Sequence, residues 1–244
     1  MLLRKHSKKS VLRCGIAAML ALVCVAAYFI IYTITSELFH VYSHLFTICV
    51  ERPLEYSVAA YFFADSIGSY EQNNIRSDGA EPIEWIVLDV KSDRILLLSR
   101  YALDSERYHY RKESVSWDTC SVRDWLNTTF YEEAFTRSEQ RSILSSGTSV
   151  YDDYVFLLSD VEAETYLPRA KDRICKATVY GSCQNVYVNP TTGGSWWLLR
   201  TTGDDGSKFA MSVNSDGTID YNGGHVESDR GTVRPAIWVN IGEK

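Results

Sequence analysis

Oxygen-bearing side chains alternate along a short stretch near the C-terminus, and side chains of this kind can hold a metal ion. Asn214, Asp216, Thr218 and Asp220 stand at every second position, and oxygen ligands are those that calcium prefers. A calcium loop of the EF-hand type has glycine at its sixth position and glutamate at its twelfth, whereas Gly217 here stands at the fourth. An ordinary hairpin turn accounts for the pattern, and we expect no metal and no cofactor.

Nucleophilic catalysis requires a serine or cysteine next to a base. Beyond the first sixty residues the chain contains two histidines, His109 and His225, and no serine lies in a Gly-x-Ser-x-Gly turn. Nothing local supports Cys120 as a nucleophile, so we expect it to be buried or disulfide-bonded. Carboxylates are plentiful in YEEAF and YDDY, but a catalytic pair must face each other across a cleft. The sequence therefore favours a domain that is not an enzyme.

Tyrosines are the residues that we predict to contact a ligand, because their rings combine an apolar face with a polar hydroxyl. Four of them lie in or beside the candidate loop region of the domain. The predicted ligand-binding residues are Tyr151, Tyr154, Tyr180 and Tyr187.

The stretch GGSWWLLRTTG, residues 193–203, places large apolar residues on both faces of a strand. Such a strand usually lies between two layers, and burying each side chain contributes about 1.5–3 kcal/mol. We also expect carboxylates to hold the arginines at the ends of such elements, because guanidinium forks match carboxylate geometry. The residues to which we assign a structural role are Trp117, Arg123, Trp125, Trp196, Trp197, Arg200 and Arg234.

Strands at both ends of the domain and short helices between them predict an α+β fold with a mostly antiparallel sheet. The sequence pattern predicts a hairpin over residues 84–100, a second hairpin over residues 208–221 and a strand over residues 154–159. Three short helices are predicted, VRDWLN, SEQRSIL and VEAETYL, each with a capping-box pattern. Their predicted capping residues are Ser121, Thr136 and Ser159.

An uncharged apolar run covers residues 14–35 and is long enough to cross a bilayer, which requires about 20 residues. The basic residues before it predict a cytoplasmic N-terminus and an extracellular C-terminal domain; a cleaved signal peptide is the alternative. We therefore divide the chain into a cytoplasmic tail (1–13), one transmembrane helix (14–35), an amphipathic stalk (36–54) and a globular domain (55–244).

The charge distribution argues against nucleic acid as a partner. Residues 1–35 contain five basic residues and no acid, which leaves 20 basic residues against all 31 acids in the remainder. The phosphate backbones of nucleic acids bind basic surfaces, and a domain with an excess of acids lacks such a surface.

Four cysteines lie outside the apolar run, and sequence alone does not choose among their possible disulfides, a Cys175–Cys183 bridge included. They are Cys49, Cys120, Cys175 and Cys183.

Several motifs occur in an order typical of a known family. PIEWIVLDV, SWDTCSVRDWLNTTFYEEAF, VFLLSDVEAETYL, WWLLRTTG and VRPAIWV follow one another between residues 60 and 241. This order resembles the bacterial domain-of-unknown-function family 6273, found in exported proteins of Gram-positive bacteria. Two tryptophans followed by an arginine also resemble C-type-lectin-like domains of the formylglycine-generating-enzyme type, which implies paired first and last strands and a ligand site in long loops. The lectin calcium motif and the paired C-terminal cysteines of that enzyme are missing here.

Together these observations predict a non-catalytic, membrane-anchored extracellular domain that binds a carbohydrate or a protein at the cell surface. Two alternatives stay open: a hydrolase of cell-envelope polymers with carboxylate catalysis, and a structural ectodomain of an envelope complex.

Overall fold

A computed structural model describes residues 67–204, 206–229 and 231–242, all within one unit that spans Val58–Lys244. The predicted tail, transmembrane helix and stalk lie outside these residues. Within them, no helix has the length and apolar character needed to cross a bilayer. The described strands are β1 (Ser69–Tyr70), β2 (Glu81–Pro82), β3 (Trp85–Val90), β4 (Arg94–Ser99), β5 (Asp104–Ser105), β6 (Ile143–Leu144), β7 (Val155–Phe156), β8 (Trp197–Gly203), β9 (Gly206–Val213), β10 (Ile219–His225), β11 (Thr232–Val233) and β12 (Ala236–Asn240).

The described helices are all short, and all of them lie between β5 and β8. A helical stretch consists of a 3-10 turn (Trp117–Thr119) and, after the extended Cys120, α1 (Ser121–Trp125), a π-helical segment (Leu126–Phe130) and α2 (Tyr131–Ala134). The others are α3 (Arg137–Gln140), α4 (Asp160–Tyr166), α5 (Ala170–Arg173) and α6 (Val179–Cys183). Pairings between the described strands are antiparallel, so the predicted α+β class with short helices is confirmed.

The central sheet has the strand order β3-β4-β12-β6, and β7 also pairs with β12. The predicted hairpin at 84–100 is confirmed, because β3 and β4 pair and Lys91 N donates to Arg94 O at 2.8 Å across the turn. Residues 95–98 of β4 are almost fully buried on both faces, as expected for a strand between two layers. Among the described strands, β1 pairs with β2, and β12 pairs with β4, β6 and β7.

A second sheet has the strand order β10-β9-β8. The predicted hairpin at 208–221 is confirmed: Asn214 N donates to Thr218 O at 2.7 Å, and Gly217 N donates to Asn214 O at 2.8 Å. Gly217 has a φ of +85°, and a Cβ placed there would lie 1.8 Å from the backbone oxygen of Ala170. Glycine is therefore required at this turn both by its backbone conformation and by the close approach of α5.

Two of the three predicted capping boxes are confirmed. At α3, Thr136 N donates to the carboxylate of Glu139 at 2.7 Å, and Glu139 N donates back to the Thr136 hydroxyl. At α4, Ser159 N donates to Glu162 at 2.9 Å, and Glu162 N donates to Ser159 Oγ at 3.1 Å. Each box satisfies N–H groups that the first helical turn leaves without a partner.

Two helix predictions are corrected by the structure. Ser121 does not cap α1: Cys120 occupies the N-cap position, and the Ser121 hydroxyl instead lies 3.0 Å from His109 Nδ1. The helix predicted over SEQRSIL ends at Gln140, and β6 follows because its apolar side chains pair with β12 in the central sheet. At the end of α3, pairing with β12 decided the structure over the local helical pattern.

The described cysteines form no disulfide. Cys120 and Cys175 are buried and Cys183 is exposed, and all three are free thiols. The possible Cys175–Cys183 bridge is therefore absent, and Cys49 lies outside the described residues. Burial raises the pKa of the Cys120 thiol to about 12 and also raises that of Cys175, which keeps both in the unreactive protonated form.

Candidate functional site

The two adjacent tryptophans, Trp196 just before β8 and Trp197 at its first position, lie in different surroundings. Trp197 is fully buried; its Nε1 donates to Arg173 O at 3.0 Å, and the guanidinium of Arg234 lies 5.0 Å from its ring centre. Trp196 is only partly buried and packs against the edge of the core. The prediction of a fully buried stretch therefore holds for Trp197, Leu198 and Leu199 and is corrected for Trp196. Adjacent side chains leave a strand on opposite faces, and the face of Trp196 opens into a groove.

This groove, which we call the Trp196 groove, has a volume of about 330 Å³. Its floor is formed by the buried residues Tyr108, Leu198 and Ala210, and the Trp196 ring forms part of its wall. A groove of this size lies at the lower end of the range for small-molecule sites. Its mixture of aromatic rings, an apolar floor and polar side chains is also typical of such sites.

The polar side of the groove comes from neighbouring strands. Cross-strand register places Leu198, Ser212 and Asp220 side by side, so that all three share one face of the sheet. Asn214, at the start of the hairpin turn, completes this side. His225 and Ser228 line another part of the groove.

The polar groups of the groove have unused hydrogen-bonding capacity. Asp220 Oδ1 accepts one bond, from Gly223 N at 3.2 Å, and no described cation forms an ion pair with this carboxylate. The amide nitrogen of Asn214 donates to Thr218 Oγ1 at 3.1 Å, which leaves its carbonyl oxygen as an acceptor. The Ser212 hydroxyl has no hydrogen-bond partner among the described residues. This side of the groove is therefore rich in acceptors and suits a ligand with several donors.

The groove is held in shape by bonds from its surroundings. The Tyr108 hydroxyl donates to Arg200 O at 2.6 Å beneath the floor. The hairpin turn is held from two directions, by Arg173 Nε donating to Gly217 O at 2.7 Å and by the Asn189 amide donating to Ser215 Oγ at 3.2 Å. Groups fixed in this way lose little conformational entropy when a ligand binds.

The four predicted ligand-contact tyrosines lie elsewhere, and no two of their rings contact one another in the described structure. Tyr151 is 56 % exposed, with its ring 4.5 Å from the guanidinium carbon of Arg123. Tyr180 lies edge-on to Tyr70 at 5.9 Å, and Tyr187 is 38 % exposed. Tyr154 is half-buried and stacks on Tyr131, with ring centres 5.2 Å apart.

The arginines assigned a structural role have different partners. Arg123 pairs with the fully buried carboxylate of Asp153 at 2.6 Å, and Arg200 pairs with Glu162, as expected. Arg234 is also buried, but the described residues offer it no carboxylate; its Nε donates to Ser99 O at 2.9 Å. The expected ion pair of Arg234 is therefore wrong, and stacking on an indole replaces it.

The predicted structural tryptophans of the helical stretch pack as expected. Trp117 is buried, and its Nε1 donates to Asp153 Oδ2 at 2.8 Å, so that it shares a carboxylate with Arg123. Trp125 is half-buried and packs against Phe130 with ring centres 5.5 Å apart.

A chain of three polar side chains links segments that sequence reasoning left apart. Ser121 Oγ lies 3.0 Å from His109 Nδ1, and His109 Nε2 lies 3.0 Å from Glu113 Oε1. The order of groups resembles that of a serine hydrolase. However, the Ser121 hydroxyl also accepts a bond from Tyr110 N at 3.3 Å, so the chain ties the segment before the helical stretch to α1. No sequence motif marks it, because its members come from two elements.

Two carboxylates with perturbed titration are neighbours on and beside β5. Burial raises the pKa of Asp104, whose Oδ2 accepts a bond from the Tyr70 hydroxyl at 2.5 Å. Burial, together with the charge of Asp104, raises the pKa of Glu106.

Among the described residues, no group of three or more His, Cys, Asp or Glu side chains could hold a metal ion. In the stretch considered above for calcium, Asp216 Oδ1 accepts a bond from Thr218 N at 2.9 Å, as in an Asx turn.

Comparison with known proteins places the chain in a family. Residues 92–241 match the family model described as Domain of unknown function (DUF6273). The chain belongs to this family. The DUF6273 match begins just before β4 and includes β12, and it therefore contains every residue named above as part of the Trp196 groove. Searches of the curated proteins and of the solved structures returned no match.

The groove residues could have been found only in part from the sequence. Alternation along β8 predicts that Trp196 and Trp197 point in opposite directions, but it does not show which face the core covers. Ser212 is a polar residue between two apolar residues of β9, which is a usable signal for a solvent-facing or ligand-facing position, whereas β10 around Asp220 consists mainly of polar residues and glycine and gives little such contrast. Their neighbourhood follows from the register of the hairpin, which depends on the turn at 214–217.

Proposed function

We propose that this protein recognises carbohydrate through the Trp196 groove, without catalysing a reaction on it. The observation that supports the proposal is the partly exposed indole of Trp196 beside the polar groups of Ser212, Asn214 and Asp220 on a braced sheet face. A sugar ring has an apolar face of C–H groups that packs on an indole, and its hydroxyls donate to carboxylate and carbonyl oxygens. The acceptor-rich side of the groove matches these donors.

The setting of the groove in the cell is part of the proposal. The uncharged run at 14–35 and the basic residues before it support a single-pass anchor with the domain outside the cell. The Trp-Trp and arginine pattern supports a C-type-lectin-like architecture, a resemblance that remains a proposal. The competing hypotheses are a protein ligand for the same groove and a purely structural ectodomain, and the glycan array distinguishes carbohydrate binding from both.

The first test is a glycan array probed with the full chain in detergent micelles, followed by titration of each glycan bound. We expect Trp196→Ala to weaken binding about tenfold or more, which corresponds to about 1.4 kcal/mol. We expect Asp220→Asn to weaken it because the charged acceptor is lost. Tyr187→Ala is the matched control, since it removes an exposed aromatic ring outside the groove. The proposal is wrong if no glycan binds at millimolar concentration, or if Trp196→Ala binds as the unchanged chain does.

The carboxylate-hydrolase alternative has one specific observation in its favour, the neighbouring Asp104 and Glu106 with raised pKa values. A carboxyl that stays protonated can act as a general acid. The test is release of reducing ends from cell-envelope polysaccharide, with Glu106→Gln as the inactive variant. If the full chain releases none, the alternative is removed.

A further inference from the structure

A second groove, separate in its lining from the Trp196 groove, lies beside α3 and has a volume of about 450 Å³. We call it the tyrosine–arginine groove. It is lined by two tyrosines, a glutamine, an isoleucine and two arginines, and none of its lining residues is acidic. The lining residues are Tyr131, Arg137, Gln140, Arg141, Ile143 and Tyr154. Acids outnumber basic residues in this chain, 31 to 25. A groove whose only charged lining residues are arginines is therefore unusual for this protein.

The two arginines of this groove are exposed and have no carboxylate partner among the described residues. Other arginines of the domain do pair with acids, among them Arg100 with Glu84 and Arg169 with Asp172. Arg137 and Arg141 are four residues apart at α3 and its C-terminal boundary, a spacing that places side chains on one side of a helical turn.

The acid nearest to these arginines in sequence is fully engaged elsewhere. The carboxylate of Glu139 accepts bonds from Gly68 N at 2.9 Å, Thr136 N at 2.7 Å and Thr136 Oγ1 at 2.6 Å. These bonds hold the pKa of Glu139 below its usual value despite partial burial. The capping box thus removes the only acid of α3 from the arginines and leaves both guanidinium groups available to a ligand.

The floor of the groove is aromatic and rigid. The rings of Tyr131 and Tyr154 stack at 5.2 Å with 17° between their planes. The Tyr131 hydroxyl donates to Gln140 O at 3.2 Å, and Gln140 Nε2 donates to Phe135 O at 3.0 Å. Burial raises the pKa of Tyr131 to about 12, so no phenolate forms near neutral pH to repel an anion.

We infer that the tyrosine–arginine groove binds a ligand in which a flat ring carries an oxyanion, either a carboxylate or a phosphate. Guanidinium groups recognise both oxyanions through paired N–H donors, and the tyrosine faces and Ile143 provide an apolar surface for the ring. This inference goes beyond the carbohydrate proposal, because the groove shares no lining residue with the Trp196 groove. The Trp196→Ala variant leaves its lining unchanged, so either proposal can fail alone.

The inference is tested by calorimetric titration of the full chain with four probes: benzoate, phenyl phosphate, inorganic phosphate and the neutral analogue benzamide. We expect benzoate or phenyl phosphate to bind, benzamide to bind at least about tenfold more weakly, and the affinity to fall as salt is added. Comparison of benzoate with phenyl phosphate shows which oxyanion is preferred. Inorganic phosphate shows how much the ring contributes.

Three variants assign the binding to named groups. We expect the double substitution Arg137→Gln and Arg141→Gln to lower the affinity for the anionic probe about tenfold or more. Arg76→Gln with Arg111→Gln removes the same charge from exposed positions outside the groove and should leave binding unchanged. Tyr154→Leu keeps both charges and should weaken phenyl phosphate while sparing inorganic phosphate. Thermal unfolding of each variant checks that it is folded.

The inference is overturned if no anionic probe binds at millimolar concentration, or if benzamide binds as well as benzoate. It is also overturned if the Arg76 and Arg111 pair of substitutions weakens binding as much as the groove pair. Equal binding of inorganic phosphate and phenyl phosphate would overturn the assignment of the ring to the tyrosine floor.

Discussion

Replacing Arg123 by methionine removes the charged partner of a carboxylate that has no contact with solvent. The side chain of Asp153 is 0 % exposed and that of Arg123 is 13 % exposed, and their closest atoms are 2.6 Å apart. Without the guanidinium, the carboxylate keeps only the Trp117 indole N–H at 2.8 Å and the Thr148 hydroxyl at 3.3 Å. Removing one partner of a buried ion pair costs about 3–5 kcal/mol, a large part of a typical domain stability of about 5–15 kcal/mol.

The assay is urea-induced unfolding of the full chain, followed by tryptophan fluorescence and by circular dichroism. We expect a large drop in the unfolding midpoint with an unchanged slope, since the change acts on the folded state. The matched control is Arg94→Met, which breaks the exposed Arg94–Asp93 pair and should move the midpoint little. Adding Asp153→Asn to Arg123→Met should recover much of the loss, because the buried charge is gone and an acceptor for Trp117 remains.

The reasoning about this ion pair is refuted by either of two results. One is that Arg123→Met destabilises the chain no more than Arg94→Met does. The other is that the double variant is as unstable as Arg123→Met alone, since a buried and uncompensated carboxylate would then not be the cause.

Two further predictions concern the turn and the buried acid. Gly217→Ala should lower the unfolding midpoint far more than Gly79→Ala, because both glycines have positive φ but only Gly217 lies against a neighbouring backbone oxygen, and equal losses in urea unfolding would contradict this. Burial raises the pKa of Asp104 above its ordinary 3.8. The folded state therefore binds the proton of Asp104 more tightly than the unfolded state does. The stability that this tighter proton binding contributes is lost as pH rises through the pKa of the folded state. Asp104→Asn should therefore stabilise the chain near neutral pH, with the gain shrinking towards pH 3.8, and a gain that is constant with pH would contradict the linkage.

Local signals predicted the elements well. Both hairpins and two helix starts were predictable because each depends on nearby residues: alternation in the strands, a polar turn, or a serine or threonine three positions before a glutamate. SEQRSIL was mispredicted where local and tertiary preferences compete, since Ile143 and Leu144 gain more by pairing with β12 than by extending a helix.

The sites were less predictable because they depend on which faces are covered. Nothing local distinguishes Trp196 from Trp197, although one lines a groove and the other is fully buried. Arg234 was expected to meet a carboxylate, yet in the described residues it meets an indole and a backbone oxygen. The stacked tyrosines of the second groove come from residues 131 and 154, on separate elements, and no spacing rule brings them together.

The central claim is that the Trp196 groove is where a carbohydrate binds. The most direct measurement is fluorine NMR of the full chain with fluorinated tryptophan, titrated with the glycan that binds most tightly on the array. The chain has six tryptophans, and single substitutions assign their signals. We predict that the Trp196 signal shifts with saturation while those of the buried Trp197 and of Trp238 on β12 stay in place. A glycan that binds but leaves the Trp196 signal unmoved would contradict the account.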